Sequence, residues 1–245
     1  MKKRFLPLVC FLGTIIFTIL ASIVPLNGVT QADVSNKFYT VITPAGFTFS
    51  IWLIIYLSWF VISMMIAFKD FKIDKEQKLL FSASMTLTAL WLVPWHFSHV
   101  WMSLSIIFLL LFMLGFLLFD VKNNEVDKRF ELTIELFIWW ILVATLLNTL
   151  VFLVAIGQQG QSMLEIAIGI AFLFMGLIAN LFLINKMDAY IPGLVYVWAL
   201  YGIYAGQTNF YIKITALLFA IVLLLNHIYL RKKIYKKTLK QLFKN

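Results

Sequence analysis

Charge is scarce in this sequence: 13% of its 245 residues are Asp, Glu, Lys or Arg, while 62% are hydrophobic. With a mean hydropathy of +0.95, the chain has too little polar surface for an ordinary soluble domain. Cysteine is almost absent. Cys10 alone excludes an intramolecular disulfide, and its place inside an apolar run marks a small packing residue. No GxSxG, HExxH or Walker pattern occurs, and no close carboxylate pair lies deep in a helix, so no conventional enzyme site is visible. The mid-portions of the apolar runs lack Asp, Glu, Lys and Arg. That argues against ion-coupled transport, which needs an ionisable group within the membrane.

What the chain does have is long apolar runs. Eight can be read, roughly at 5–25, 45–67, 79–97, 100–119, 132–156, 163–184, 189–206 and 209–230, lengths suited to a hydrocarbon core of about 30 Å. The first is read as a retained helix and not a signal peptide, because it continues to Pro25 without a clean cleavage site. The formal net charge of +9 does not point to nucleic acid, since the basic residues flank apolar runs where they meet anionic lipid headgroups. Eighteen of the twenty Lys and Arg residues fall on one side of an eight-span layout, leaving Lys37 and Lys213 on the other. This asymmetry predicts that both termini are cytoplasmic, and the chain is expected to be an integral protein of a bacterial plasma membrane.

The chain is organised around 43–56, where Thr43 is expected to cap a helix that Pro44 opens. Trp52 and Tyr56 are four apart on one face, with Phe49 a turn earlier. About two turns inside the expected helix start, Trp52 lies too deep for a headgroup anchor and reads as part of a buried aromatic wall. The preceding loop, 26–42, is long enough for a lid, with Phe38 and Tyr39 as its aromatic residues; an interfacial connector has the same composition. Trp91, Pro94, Trp95, His96, His99 and Trp101 crowd the end of the third run, and Pro94 is expected to kink it. His96 and His99, without Cys, Asp or Glu nearby, fall short of a metal site and read as interfacial polar residues. In the fifth run Trp140, Ala144 and Asn148 fall on one face, and the amide must find a partner within the membrane. It serves either as interhelical glue or as a polar anchor in a pocket.

Two separated patterns resemble the tryptophan-rich sensory protein family, also called the translocator protein or TspO/MBR family. Its second helix opens on a proline pair followed by Trp and Tyr four apart, matched here by Thr43-Pro44, Trp52 and Tyr56. Its fifth helix carries Trp, a small residue and Leu-Asn, matched by Trp140, Ala144, Leu147 and Asn148, and Trp91 to Trp101 is similar to its third helix and the turn that follows. The chain departs at Thr43 for a proline, at Leu136 for a proline, at Phe49-Ser50 for Gly-Pro, and at 85–90, which lack the family's Gln and Asn. The resemblance implies an all-α polytopic membrane protein: a TspO-like five-helix core over 1–156, three further transmembrane helices over 157–230, and a basic cytoplasmic tail over 231–245. In the added helices Ala167/Ala171 and Gly202/Gly206 have the small-residue spacing of close helix packing, and Glu165 is expected at the interface. Leu230, Tyr235 and Lys237 fit a proposed sterol pattern.

Three functions follow as expectations. The first is a receptor or carrier of flat hydrophobic ligands with a sensory or regulatory role, the ligand being, by resemblance, a porphyrin, haem or sterol-like molecule. Trp52, Tyr56, Trp91, Trp95, Trp140 and Asn148 would line its site, with Phe38 and Tyr39 as lid. No cofactor or metal is required, and a tetrapyrrole would be a ligand. The second is a scaffold whose added helices dock a membrane-protein partner or a second copy. The third, an intramembrane enzyme acting on a tetrapyrrole, finds no positioned acid, base or nucleophile in the sequence. The remaining expected partners are membrane lipid and a hydrophobic small molecule, and no nucleic acid.

Overall fold

The computed structural model describes residues 4–69, 71–157, 162–187 and 191–242, with backbone alone at 183, 186, 187, 192 and 231–242. Eight long helices and one short one follow in order: α1 (Leu6–Ile23), α2 (Gln31–Lys37), α3 (Ile51–Phe68), α4 (Lys75–His96), α5 (Val100–Asn123), α6 (Lys128–Ala155), α7 (Met163–Met187), α8 (Ile191–Gly206) and α9 (Phe210–Leu242). Seven helical segments are long and apolar enough to cross a membrane, and α8 contributes a shorter apolar stretch, Gly193–Gly206. The chain is an all-helical polytopic membrane protein. The side chains of the basic tail, including Tyr235 and Lys237 of the sterol pattern, lie outside the described residues.

Polar residues set where the helices begin. Asp74 and Gln77 form a reciprocal capping box at the start of α4, and the Asp127 carboxylate accepts the Arg129 N–H at the start of α6. The short α2 is capped likewise by Thr30 and Asp33, and the Thr30 backbone N–H holds the Asp33 carboxyl below its usual pKa. Along the spans, apolar residues occupy both the packed and the outward faces, as expected where the surroundings are lipid.

Helices α1, α3, α6, α5 and α4 close a ring, each packed on its two neighbours, and α8 joins this ring through α6 while packing on α9 and α7. The ring's core holds Trp59, Trp140, Phe81, Phe130 and Phe137, all essentially inaccessible. A second core gathers α7, α8 and α9 around Val41, Ile42, Leu150 and Val151, so residues from both sides of position 156 share it.

Several sequence expectations are corrected here. Helix α3 starts at Ile51, preceded by a 3₁₀ turn over Gly46–Ser50, so Thr43 does not cap it. Thr43 Oγ1 instead accepts the Thr40 N–H at 3.0 Å, closing a turn within the preceding segment. Trp52 is consequently the second residue of the α-helix proper. Pro94 lies inside the last turn of α4, which ends two residues later; the His99 N–H returns to the Pro94 carbonyl at 2.8 Å across Ser98, whose φ is +57°. Ala167 and Ala171 are exposed, since α7 turns Glu165, Ile166, Leu173, Leu177 and Asn180 inward.

Candidate functional site

The ring of five helices lines a cavity of about 570 Å³ beneath the segment that joins α2 to α3, with α2 and the α8 residues Ala199, Ile203 and Gly206 completing its lining. Its aromatic wall is built from three helices: Trp52 from α3, Trp91 and Trp95 from α4, and Trp140 from α6. Trp91 stacks on Trp95 with ring centroids 5.0 Å apart, and Trp52 meets Trp140 edge-on at 6.3 Å. Ala144, Leu147 and Asn148 continue the α6 wall, as their spacing in the sequence requires. Asn148 donates its Nδ2 to the Ala144 carbonyl of its own helix at 2.8 Å. Its Oδ1, with the indole nitrogens of Trp91 and Trp140 and the Thr48 hydroxyl, is buried without a hydrogen-bond partner among the described residues. Among the described residues, no Asp, Glu, Lys or Arg lines the cavity.

Of the eight residues expected at the site, the structure brings six to one cavity: Trp52, Trp91, Trp95, Trp140, Asn148 and Tyr39. Tyr56 stacks on Trp52 at 5.3 Å but backs it, packed against Trp59 and away from the cavity. Phe38 ends α2, packs into the second core beneath Lys37 and does not line the cavity. His96 is buried in the wall with Nδ1 2.7 Å from the Leu92 carbonyl, while His99 is exposed beside Phe97. One ring faces inward and the other outward, so the pair shares no ligand.

The side of the cavity towards α7–α9 is a strap, residues 39–48, most of which is buried. An irregular segment within a membrane fold must have its backbone groups paired. Here the partners come from α7, α8 and the residue that follows α8. Gln207, just after α8, donates its Nε2 to the Thr43 carbonyl at 2.6 Å and to the Thr40 carbonyl at 3.1 Å. The Tyr39 hydroxyl donates to the Gly206 carbonyl at 2.8 Å, and burial pushes this phenol above its ordinary pKa, keeping the proton in place. The Ala45 N–H reaches the Gly202 carbonyl at 2.9 Å, Trp198 donates to the Thr48 carbonyl at 2.8 Å, and Glu165 accepts the Val41 N–H at 3.0 Å. Glu165 is thus buried against the strap.

Gly202 and Gly206, expected to bring two helices together, instead let α8 lie against this strap. A Cβ on Gly202 would overlap the Thr48 side chain, and one on Gly206 would overlap the backbone of Pro44 and Ala45. Backbone cannot swing aside as a side-chain tip can. Gly206→Ala should therefore cost about 1–3 kcal/mol, read as a lower midpoint of unfolding in mixed micelles.

The functional residues missed in the sequence are Gln207, Trp198 and Thr48. A glutamine closing an apolar run was the available signal, but its partners lie 164 and 167 residues away. No curated protein and no solved structure matches the chain. A family model described as TSPO-like protein matches residues 4–229, running through α7, α8 and most of α9. With a match over nearly its whole length and a fold of membrane-crossing helices around a cavity, the chain belongs to the TSPO-like protein family, membrane proteins of a broadly ligand-binding and sensory kind.

Proposed function

We propose that the protein binds a flat hydrophobic ligand, a porphyrin or a sterol-like molecule, in the cavity between its five ring helices, and that occupancy serves a sensory or regulatory role. The observation that carries this reading is the cavity walled by Trp52, Trp91, Trp95 and Trp140, with no Asp, Glu, Lys or Arg among its described lining residues. Its volume falls within the range of small-molecule sites, and indole faces stack on planar rings. The unpartnered polar atoms of Trp91, Trp140 and Asn148 support it further. Groups of this kind are rare in folded proteins without a purpose, and small ring rotations would turn them towards a ligand's polar edge. The protein would act in a bacterial plasma membrane with both termini cytoplasmic, as a single chain, a homo-oligomer or beside a membrane-protein partner.

Titration of the detergent-solubilised protein with protoporphyrin IX, followed by tryptophan fluorescence, tests the reading. Saturable quenching in the micromolar range is expected, corresponding to roughly −8 kcal/mol. Trp52→Phe and Asn148→Ala should each weaken binding by about tenfold, the loss of one stacking or hydrogen-bond contact. Linear quenching, or quenching unchanged by both substitutions, would mean partition into the micelle and refute the site.

A further inference from the structure

The strap has two sides. One faces the cavity through Tyr39, Ile42, Thr43 and Ala45, and the other is held by α7 and α8. Among the described residues, apart from the Ile51 N–H that bonds the Thr48 carbonyl where the chain runs on into α3, the hydrogen bonds that leave the strap end on α7, α8 or Gln207. The five-helix ring therefore supplies the aromatic wall, while the position of the facing wall is set from outside the ring. Gln207 is central to this, since one buried amide spans two strap carbonyls, adding to the Thr43 N–H at the Thr40 carbonyl and reaching the Thr43 carbonyl at 2.6 Å.

We infer that α7–α9 regulate access to the cavity: Gln207 and Tyr39 are positioning residues that keep the strap closed, and releasing them opens a water path to the inner wall. The continuation of the strap into α2 adds to the effect. Gln31, Ala32 and Asn36 of α2 are exposed and line the cavity, so its mouth lies along that helix. Helix α2 is tied to the ring by long bonds, from Trp95 to the Gln31 carbonyl at 3.2 Å and from Lys37 to Ser98 at 3.4 Å. A strap set loose at 39–43 thus removes the better of the lid's two anchorages. Linkage makes the coupling reciprocal: whatever shifts α8 against the strap changes ligand exchange, and a ligand that presses the strap acts on α8. The occupant of the cavity belongs to the function proposed above, whereas the latch itself can be tested without any ligand.

The single cysteine makes that test direct. In a Cys10→Ser background, Ala144→Cys places one thiol on the cavity wall of α6. Its modification by a small, charged methanethiosulfonate reagent in nanodiscs reports the opening of a water path. Gln207→Leu removes both donor bonds and should speed modification by about tenfold or more, the factor that two bonds of ordinary net strength correspond to. Tyr39→Phe, which keeps the ring and loses one bond, should speed it about threefold, and it decides the matter should Gln207→Leu fail to fold. Asn180→Ala is the control: among the described residues this buried amide bonds only within α7, to the Gly176 carbonyl, and makes no hydrogen bond to the strap. Rates within twofold of the parent for both latch variants would overturn the inference, as would equal acceleration by Asn180→Ala. In the parent, protoporphyrin IX should slow modification. If it does not, the binding reading fails while the latch stands or falls on the variants.

Discussion

Lys122→Met is expected to be the most damaging single substitution in the protein, at about 3–5 kcal/mol. The Lys122 ammonium, near the end of α5, bonds both Glu131 and Glu135 of α6, and their side chains are 16%, 14% and 2% exposed. Glu131 has a second cation in Lys128, whereas Lys122 is the one cation bonded to Glu135 among the described residues. Methionine would keep the volume and leave a carboxylate buried without its counter-charge, the costly half of a broken ion pair. The double variant Lys122→Met/Glu135→Gln should recover most of the loss, because a neutral amide does not require the ammonium. Unfolding midpoints in mixed micelles for the two singles and the double close the cycle. Equal stability of Lys122→Met and the parent would show that water, not Lys122, compensates Glu135.

Trp59→Ala should follow, at about 3 kcal/mol, the lower end for a large aromatic because lipid and not water receives the unfolded side chain. Trp59 is fully buried, with ring centroids 4.6 Å from Phe137, 5.4 Å from Tyr56 and 6.4 Å from Trp52. Truncation would leave a void behind the cavity wall into which Trp52 can tip. Trp59→Phe should by contrast cost under about 1.5 kcal/mol, since much of the packing stays and a buried N–H with no partner is removed. Comparing the two variants by thermal unfolding separates packing from polarity. If ligand is bound as proposed, Trp59→Ala weakens protoporphyrin binding as well, although Trp59 does not line the cavity.

The long helices were legible because each crossing demands a continuous apolar run, and a run's length is visible without knowing its neighbours. The wall along α6 was legible for the same local reason: Trp140, Ala144 and Asn148 repeat with the helical period. The start of α3 was not. Thr43-Pro44 has the local chemistry of a helix opening, yet the backbone of 40–45 is claimed by Gln207 and Gly202, a tertiary demand that outweighs a capping preference. Helix α2 is polar and only seven residues long, so no apolar run announced it, although Thr30 and Asp33 carry a capping signal three residues apart. Glu165 and Gln207 were hard to place for a common reason. A polar residue near the end of an apolar run satisfies the interface and a buried partner equally well until that partner is known.

The strap also fixes the order in which the protein can be completed. Thr43 leaves the ribosome 164 residues before Gln207, an interval of about 8–30 s at ordinary rates of synthesis. Throughout it the strap's carbonyls at Thr40 and Thr43 lack the Gln207 amide, while the ring helices are already made. The cavity is therefore among the last features to mature, and a chain arrested before α8 would carry an assembled aromatic wall facing an unfinished one.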